Sequence, residues 1–176
     1  HGIDHDLFYP GKKDYTKIIS VAAWQKIPAK GMRHLGAALN QLRVHGMVMS
    51  GCQREHVADQ LKTAGIFVMP SVYQETFGLV LTEAMAAGCL CIATNVAGPR
   101  YQLAGTVGHG TQETPYGVLV PPGNPAAIAR AIKTYYGRHD LCGPFSINAR
   151  EKVAKQFTLE AVGKRLTSFY EDMLNR

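Results

Sequence analysis

The chain carries several short apolar runs in which hydrophobic residues do not alternate with polar ones, at residues 17–23, 66–69, 89–93 and 118–120, with a shorter candidate at 46–49. A strand that is apolar on both faces must be covered on both faces, the situation of a parallel sheet held between layers of helices. Between these runs the apolar residues recur at helical spacing: Met32, Leu35, Leu39 and Leu42; Val57, Leu61 and Ala64; Ile128, Ala131, Ile132 and Tyr135; Val162, Leu166, Phe169 and Met173. Strand and helix therefore alternate. That order predicts an α/β fold, a Rossmann-like parallel sheet flanked by helices, with ligands bound where strand carboxyl ends meet helix amino ends. Local punctuation agrees: Asn124 before Pro125 predicts a helix cap, and Gly88 predicts a left-handed helix stop ahead of Cys89.

The length of 176 residues suits one compact unit, and 46% apolar residues supply a substantial core. No apolar run approaches the roughly 20 residues of a membrane span, and no charged-then-apolar leader opens the chain. A cytoplasmic location is expected, with a peripheral position at the inner membrane face compatible with the charge. Four cysteines (Cys52, Cys89, Cys91, Cys142) are too sparse for a disulfide scaffold and lack the spacing of a zinc site, so no metal is expected. Cys89 and Cys91 alternate inside an apolar run and read as small core residues on one strand face. The net charge of +6 favours anionic partners, among which nucleic acid, acidic lipid and a nucleotide diphosphate all fit. Nucleic acid is the weakest of the three, because the basic residues are scattered and no aromatic-and-basic module appears. Residues 105–115 read as a mobile surface loop. Its glycines Gly105, Gly108 and Gly110 do not have dinucleotide-binding spacing.

The most informative stretch is 70–88, Pro-Ser-Val-Tyr-Gln-Glu-Thr-Phe-Gly-Leu-Val-Leu-Thr-Glu-Ala-Met-Ala-Ala-Gly, which runs from a strand end through a loop into a helix. A helix starting near Phe77 or Gly78 would offer unpaired amides with partial positive charge, and glycine would let a phosphate approach the backbone closely. Glu75 would sit just outside that helix end and Glu83 roughly two turns inside, so that two carboxylates bracket the anion. Carboxylates accept well from sugar hydroxyls, which suits a nucleotide sugar. The alternative, common for acids near a helix start, is that both are simply solvated.

These residues resemble the signature of the retaining GT-B glycosyltransferases of family four (glycosyl transferases group 1): Pro-Ser, then Glu-x-Phe-Gly-Leu, then Glu-Ala-Met-Ala-x-Gly. Gly2-Ile3-Asp4 with Phe8 and Pro10 resembles that family's interdomain linker, Pro28-x-Lys30-Gly31 its phosphate-binding turn, and Tyr116-Gly117-Val118-Leu119-Val120 its late strand. Phe157-Thr158 and a closing helix over 159–174 are similar to its C-terminal end. The resemblance covers residues 1–176 as the donor-binding half of a GT-B architecture, with 1–11 as a linker remnant. It implies a retaining, metal-independent transfer from a nucleotide-diphosphate sugar, with no cofactor and a glycan or lipid-linked acceptor. An N-terminal acceptor-binding domain would lie outside this chain, and the isolated chain would be inactive. By the same resemblance Glu75 would contact donor-sugar hydroxyls and Lys30 would neutralise the diphosphate, as catalytic residues. Glu83 would contact the ribose, and Phe77, Gly78, Leu79 and Val80 the sugar and phosphates. A plain surface position is the alternative for Lys30.

The sequence departs from the family pattern in three places. Gln25, preceded by Trp24, stands where an arginine is usual, which removes a bidentate phosphate clamp; Lys26 is adjacent but faces differently on an extended segment. The loop 96–100, Val-Ala-Gly-Pro-Arg, lacks the family's acid and is shorter. After Leu42 a further strand and helix of about 30 residues are expected from the resemblance, yet Arg43-Val44-His45-Gly46 follows at once. These departures motivate a second reading, a non-catalytic nucleotide-sugar-binding or regulatory module with a degenerate site. His34, His45 and His56 have no partners at ligand spacing, and His1 stands where the family has asparagine.

Overall fold

The central apolar runs become strands buried on both faces, while the run 46–49 becomes an edge strand with Met47 exposed. The computed structural model describes residues 2–22, 28–73, 75–104 and 111–174. His1, Ala23, Trp24, Gln25, Lys26, Gln74, Gly105, Gly108 and Gly110 lie outside those residues. In chain order the elements are β1 (Asp14–Val21), α1 (Met32–Leu42), β2 (Gly46–Met49), α2 (Arg54–Thr63), β3 (Ala64–Met69), α3 (Leu79–Ala86), β4 (Leu90–Thr94), α4 (Ala97–Leu103), β5 (Gln112–Thr114), β6 (Gly117–Val120), α5 (Pro125–Tyr135), α6 (His139–Gln156) and α7 (Leu159–Leu174).

The strands form one sheet in the order β2-β1-β3-β4-β6-β5, parallel except for the antiparallel edge strand β5. Side chains alternate through its central strands into two cores. Ile19, Phe67, Cys91, Ala93 and Leu119 point to the face covered by α2, α3 and α6, where Leu61, Leu81, Met85 and Val153 close the layer. Ile18, Ile66, Val68, Leu90, Ile92 and Val118 point to the other face, where α1 and α5 pack with Leu35, Leu39, Ile128 and Ile132. Cys89 and Cys91 are fully buried in the first core, as their alternation predicts.

Helix ends follow the local chemistry. The Asn124 side chain accepts from the Ala127 amide at 3.0 Å, with Pro125 in the first turn of α5. At the end of α3 the Cys89 amide bonds the Ala84 carbonyl and the Gly88 amide bonds Met85, a Schellman pair that turns the chain directly into β4.

Four features differ from the sequence reading. Residues 97–100 of the expected 96–100 loop open helix α4, with Val96 at its cap position. The helix α6 has no counterpart in it, because Gly143 and Pro144 punctuate its first half and its buried stripe consists of the small residues Cys142, Ser146 and Ala149 with Val153. Part of the expected loop, Gln112–Thr114, is strand β5. The extra strand and helix expected after Leu42 are not needed to close the sheet: β2 pairs directly with β1, from Ile18 opposite Gly46 to Val21 opposite Met49.

The segment before β1 is docked, with Ile3 and Phe8 buried. The Ile3 amide bonds the Phe157 carbonyl and the Ile3 carbonyl receives the Leu159 amide. The helix α7 forms where its periodicity predicts, but no residue of it is buried, and Leu166, Phe169 and Met173 stay exposed. Among the described residues no helix is long and apolar enough to cross a membrane.

Candidate functional site

From β1 the chain moves to β2 on one side, and from β3 to β4 on the other, so the carboxyl ends of β1 and β3 flank a switch point of the sheet. Doubly wound sheets bind ligands at such a crevice. A cavity of about 360 Å³ opens there, with Val21, Met49 and Met69 from the strand ends in its wall and Gly51 and Cys52 ahead of α2.

Two helices aim their amino ends into this cavity, each with glycine at the cap position in the left-handed conformation. Gly31, at φ 69°, starts α1 after a single 3-10 turn, Pro28–Lys30. It is pressed against the end of β3, so a Cβ there would overlap the Pro70 carbonyl oxygen and stand 2.7 Å from its carbon. The Val72 amide bonds the Ala29 carbonyl at 2.8 Å and fixes the same contact. That anchoring explains why lysine is followed by glycine: the tight turn hangs Lys30 over the cavity. Gly78, at φ 88°, starts α3, and Gly78, Leu79 and Val80 line the cavity. Neither cap residue has a side chain to occupy the helix end.

Across the opening, Lys30 Nζ lies 2.7 Å from Glu75 Oε2, with both side chains largely shielded. Each helix amino end is equivalent to about half a positive charge. With Lys30 and Glu75 cancelling, the cavity keeps about one unit of positive character.

The loop that enters α3 is held from behind by residues the sequence reading did not single out. Buried Gln102 on α4 donates through Nε2 to the Phe77 carbonyl and to the Gly78 carbonyl at 3.3 Å, while its Oε1 accepts from Thr82 Oγ1 at 2.8 Å. The Gly98 amide donates to the Glu75 carbonyl at 2.7 Å. Carbonyls drawn toward α4 turn the amides across each trans peptide the opposite way. Gly98 was visible as part of the Val-Ala-Gly-Pro-Arg loop; Gln102 carried no motif signal. The Phe77 ring packs edge-on against Phe157 at 5.6 Å, and Phe77 is not among the described residues of the cavity wall. Arg100, in place of the expected acid, bonds Asn95 Oδ1 at 2.6 Å and the Asn95 carbonyl at 3.1 Å.

Glu83 corrects the expected depth. It is the fifth residue of α3, just over one turn inside rather than two, because the helix begins at Leu79. It lies on the same helix face as Leu79 and Val80 but is not among the described residues of the cavity wall. Its carboxylate is 9% exposed as a residue and receives Arg54 Nε at 3.2 Å. Burial pushes the Glu83 carboxyl above the usual carboxylate range, and the Arg54 guanidinium pulls it back. Among the described residues no group of three or more His, Cys, Asp or Glu could hold a metal ion.

The family model described as Glycosyl transferases group 1 matches residues 17–138. The chain is similar to the D-inositol 3-phosphate glycosyltransferase of Streptomyces bingchenggensis, with 42% identity over 81 residues, 46% of this chain and 16% of that protein. Its fold is similar to sucrose-phosphate synthase of Thermosynechococcus elongatus, with TM-score 0.81 and 24% identity over 99% of this chain and 51% of that one. It is also similar in fold to Anabaena Alr3699/HepE, solved in complex with UDP and glucose, with TM-score 0.75 and 16% identity over 97% of this chain and 55% of that one. The chain thus spans about a sixth of the first relative and about half of each solved neighbour.

Proposed function

Because the chain belongs to the glycosyl transferases group 1 family, we propose that its cavity binds a nucleotide-diphosphate sugar as the donor for a retaining, metal-independent glycosyl transfer. The observation that carries this reading is the convergence of two glycine-capped helix amino ends and Lys30 on one cavity at the sheet's switch point. Such a site suits a diphosphate flanked by polyols: amides and an ammonium for the charge, carboxylates for the hydroxyls. Cleavage of the anomeric bond leaves negative charge on the departing diphosphate while the sugar becomes oxocarbenium-like. Lys30 and the helix ends would stabilise that charge at fixed positions. In this reading Glu75 accepts from the sugar, Glu83 from the ribose, and Gly78, Leu79 and Val80 contact the phosphates through their backbones.

Transfer needs an acceptor held against the donor, and that orientation is a large share of catalysis. We assign acceptor binding, for a glycan or lipid-linked alcohol, to an N-terminal domain outside this chain, so the chain alone would bind donor without turning it over.

Calorimetry of the chain with UDP, GDP, ADP and their sugars tests the proposal. Submillimolar binding of at least one is expected, and Lys30→Ala should weaken the diphosphate far more than the matching nucleoside. Equal losses would remove Lys30 from the phosphate site. The second reading, a binding or regulatory module, is favoured by the internal pairing of both acids, Glu75 with Lys30 and Glu83 with Arg54. A complete protein that binds donor and never consumes it would establish the second reading over the first.

A further inference from the structure

Arg54 occupies a position that helix chemistry disfavours. It is the first residue of α2, where the helix dipole repels a cation, and no side chain caps that end. Two contacts offset the cost. Its Nε lies 3.2 Å from Glu83 Oε1, and its guanidinium sits 5.0 Å from the centre of the Phe8 ring, itself buried to 1% exposure. Arg54 therefore bridges three parts of the molecule: the docked segment before β1, the start of α2, and the face of α3 that lines the cavity one turn earlier at Leu79 and Val80.

We infer that Arg54 is a positioning residue of the donor site, clamping the buried Glu83 carboxylate as a hydrogen-bond acceptor one helical turn beyond the cavity-lining residues Leu79 and Val80. This rests on the reading of the cavity as a nucleotide-sugar site with Glu83 on the ribose. A carboxylate this buried takes up a proton readily once its counter-charge is removed, and a protonated acid offers less to a sugar diol. The other charges around the site are engaged elsewhere: Lys30 by Glu75, Lys152 by the Gln102 carbonyl and Lys13 by the Leu61 carbonyl, while His5 and Arg150 line a separate cavity beside the N-terminal segment. Within the described residues Arg54 is the charge that acts on Glu83.

The test compares wild type, Arg54→Ala and Arg54→Lys in nucleoside diphosphate binding and thermal denaturation, from about pH 6 to about pH 9. Arg54→Ala should weaken binding at the acidic end of this range and recover affinity as pH rises and Glu83 ionises. Its stability should move the other way. A carboxyl whose folded pKa lies above its unfolded value costs the fold as pH rises through that value, so the thermal deficit of Arg54→Ala deepens toward alkaline pH. Arg54→Lys should restore most affinity and flatten both profiles. A variant that had merely lost packing would show parallel, pH-independent losses, which would overturn the inference. Should Arg54→Ala fail to fold, Arg54→Gln carries the same comparison. Failure of the wild-type chain to bind any nucleotide overturns the site reading and this inference with it; wild-type binding with an unchanged Arg54→Ala overturns this inference alone.

Discussion

Replacing Gly31 with alanine tests how Lys30 is held. Gly31 stands at φ 69°, and a Cβ added there would overlap the Pro70 carbonyl oxygen and lie 2.7 Å from its carbon, against 3.4 Å where ordinary contact begins. The left-handed conformation alone costs a side-chain-bearing residue about 1–2 kcal/mol. Relieving the overlap moves the 28–30 turn away from β3 and breaks the Val72 to Ala29 hydrogen bond, worth about 1 kcal/mol. The expected loss is about 2–3 kcal/mol, which for a domain of this size lowers Tm by about 4–12 °C. Gly36, five positions later in α1, provides an opposite control. Nothing lies within 4 Å of its added Cβ, so Gly36→Ala should stabilise by about 0.5–1 kcal/mol through helix propensity. Thermal denaturation by circular dichroism measures both. The folded Gly31→Ala protein should also lose diphosphate affinity, because Lys30 moves with the turn. Equal Tm values for Gly31→Ala and Gly36→Ala would refute the claim that the cavity's lysine is set by backbone contact with Pro70.

Gln102→Leu removes the amide that holds the Phe77 and Gly78 carbonyls and strands the Thr82 hydroxyl. A loss of about 2–3 kcal/mol is expected, measured by urea unfolding, and a loss under about half a kcal/mol would contradict the hydrogen-bond assignment. Cys52 is exposed at the cavity wall while Cys89, Cys91 and Cys142 are buried; iodoacetamide should therefore label Cys52 first, at a rate that falls when nucleotide diphosphate saturates the site. Labelling at an unchanged rate would put the ligand elsewhere. Asn124→Ala removes the cap of α5 and should cost about 1 kcal/mol, a Tm decrease of about 2–4 °C by calorimetry. Because burial raises the Glu83 carboxyl, wild type should gain stability relative to Glu83→Gln as pH falls through the raised value, and the difference should level off below the ordinary carboxylate range; a gain with rising pH would reverse the sign of that shift.

The glycine-capped half of the cavity was legible because its requirements are local. A left-handed cap favours glycine, so Gly31 and Gly78 announce the two helix starts, with Lys30 one position and Glu75 three positions ahead of them. The two-sided burial of the sheet was equally plain from Ile66 to Met69 and from Cys89 to Ala93. What escaped depends on contacts between distant segments. Arg54 and Glu83 are separated by 29 positions and Gln102 and Phe77 by 25, and neither pair has a spacing that periodicity can detect. Glu83 was set one turn too deep because counting eight positions from Glu75 overlooked the non-helical residues before Leu79. The helix α6 was hidden by Gly143 and Pro144, breakers in isolation that are tolerated here near the helix start, with Cys142, Ser146 and Ala149 small enough to pack closely.

The ion pair between Lys30 and Glu75 bears on the order of events at the cavity. In the proposed function a diphosphate would have to draw the Lys30 ammonium away from Glu75 before gaining that contact. The carboxylate released in this way would need hydroxyls in exchange, which a sugar-bearing nucleotide would supply and the departing nucleotide diphosphate would not. One contact would thereby tell fresh donor from leaving product.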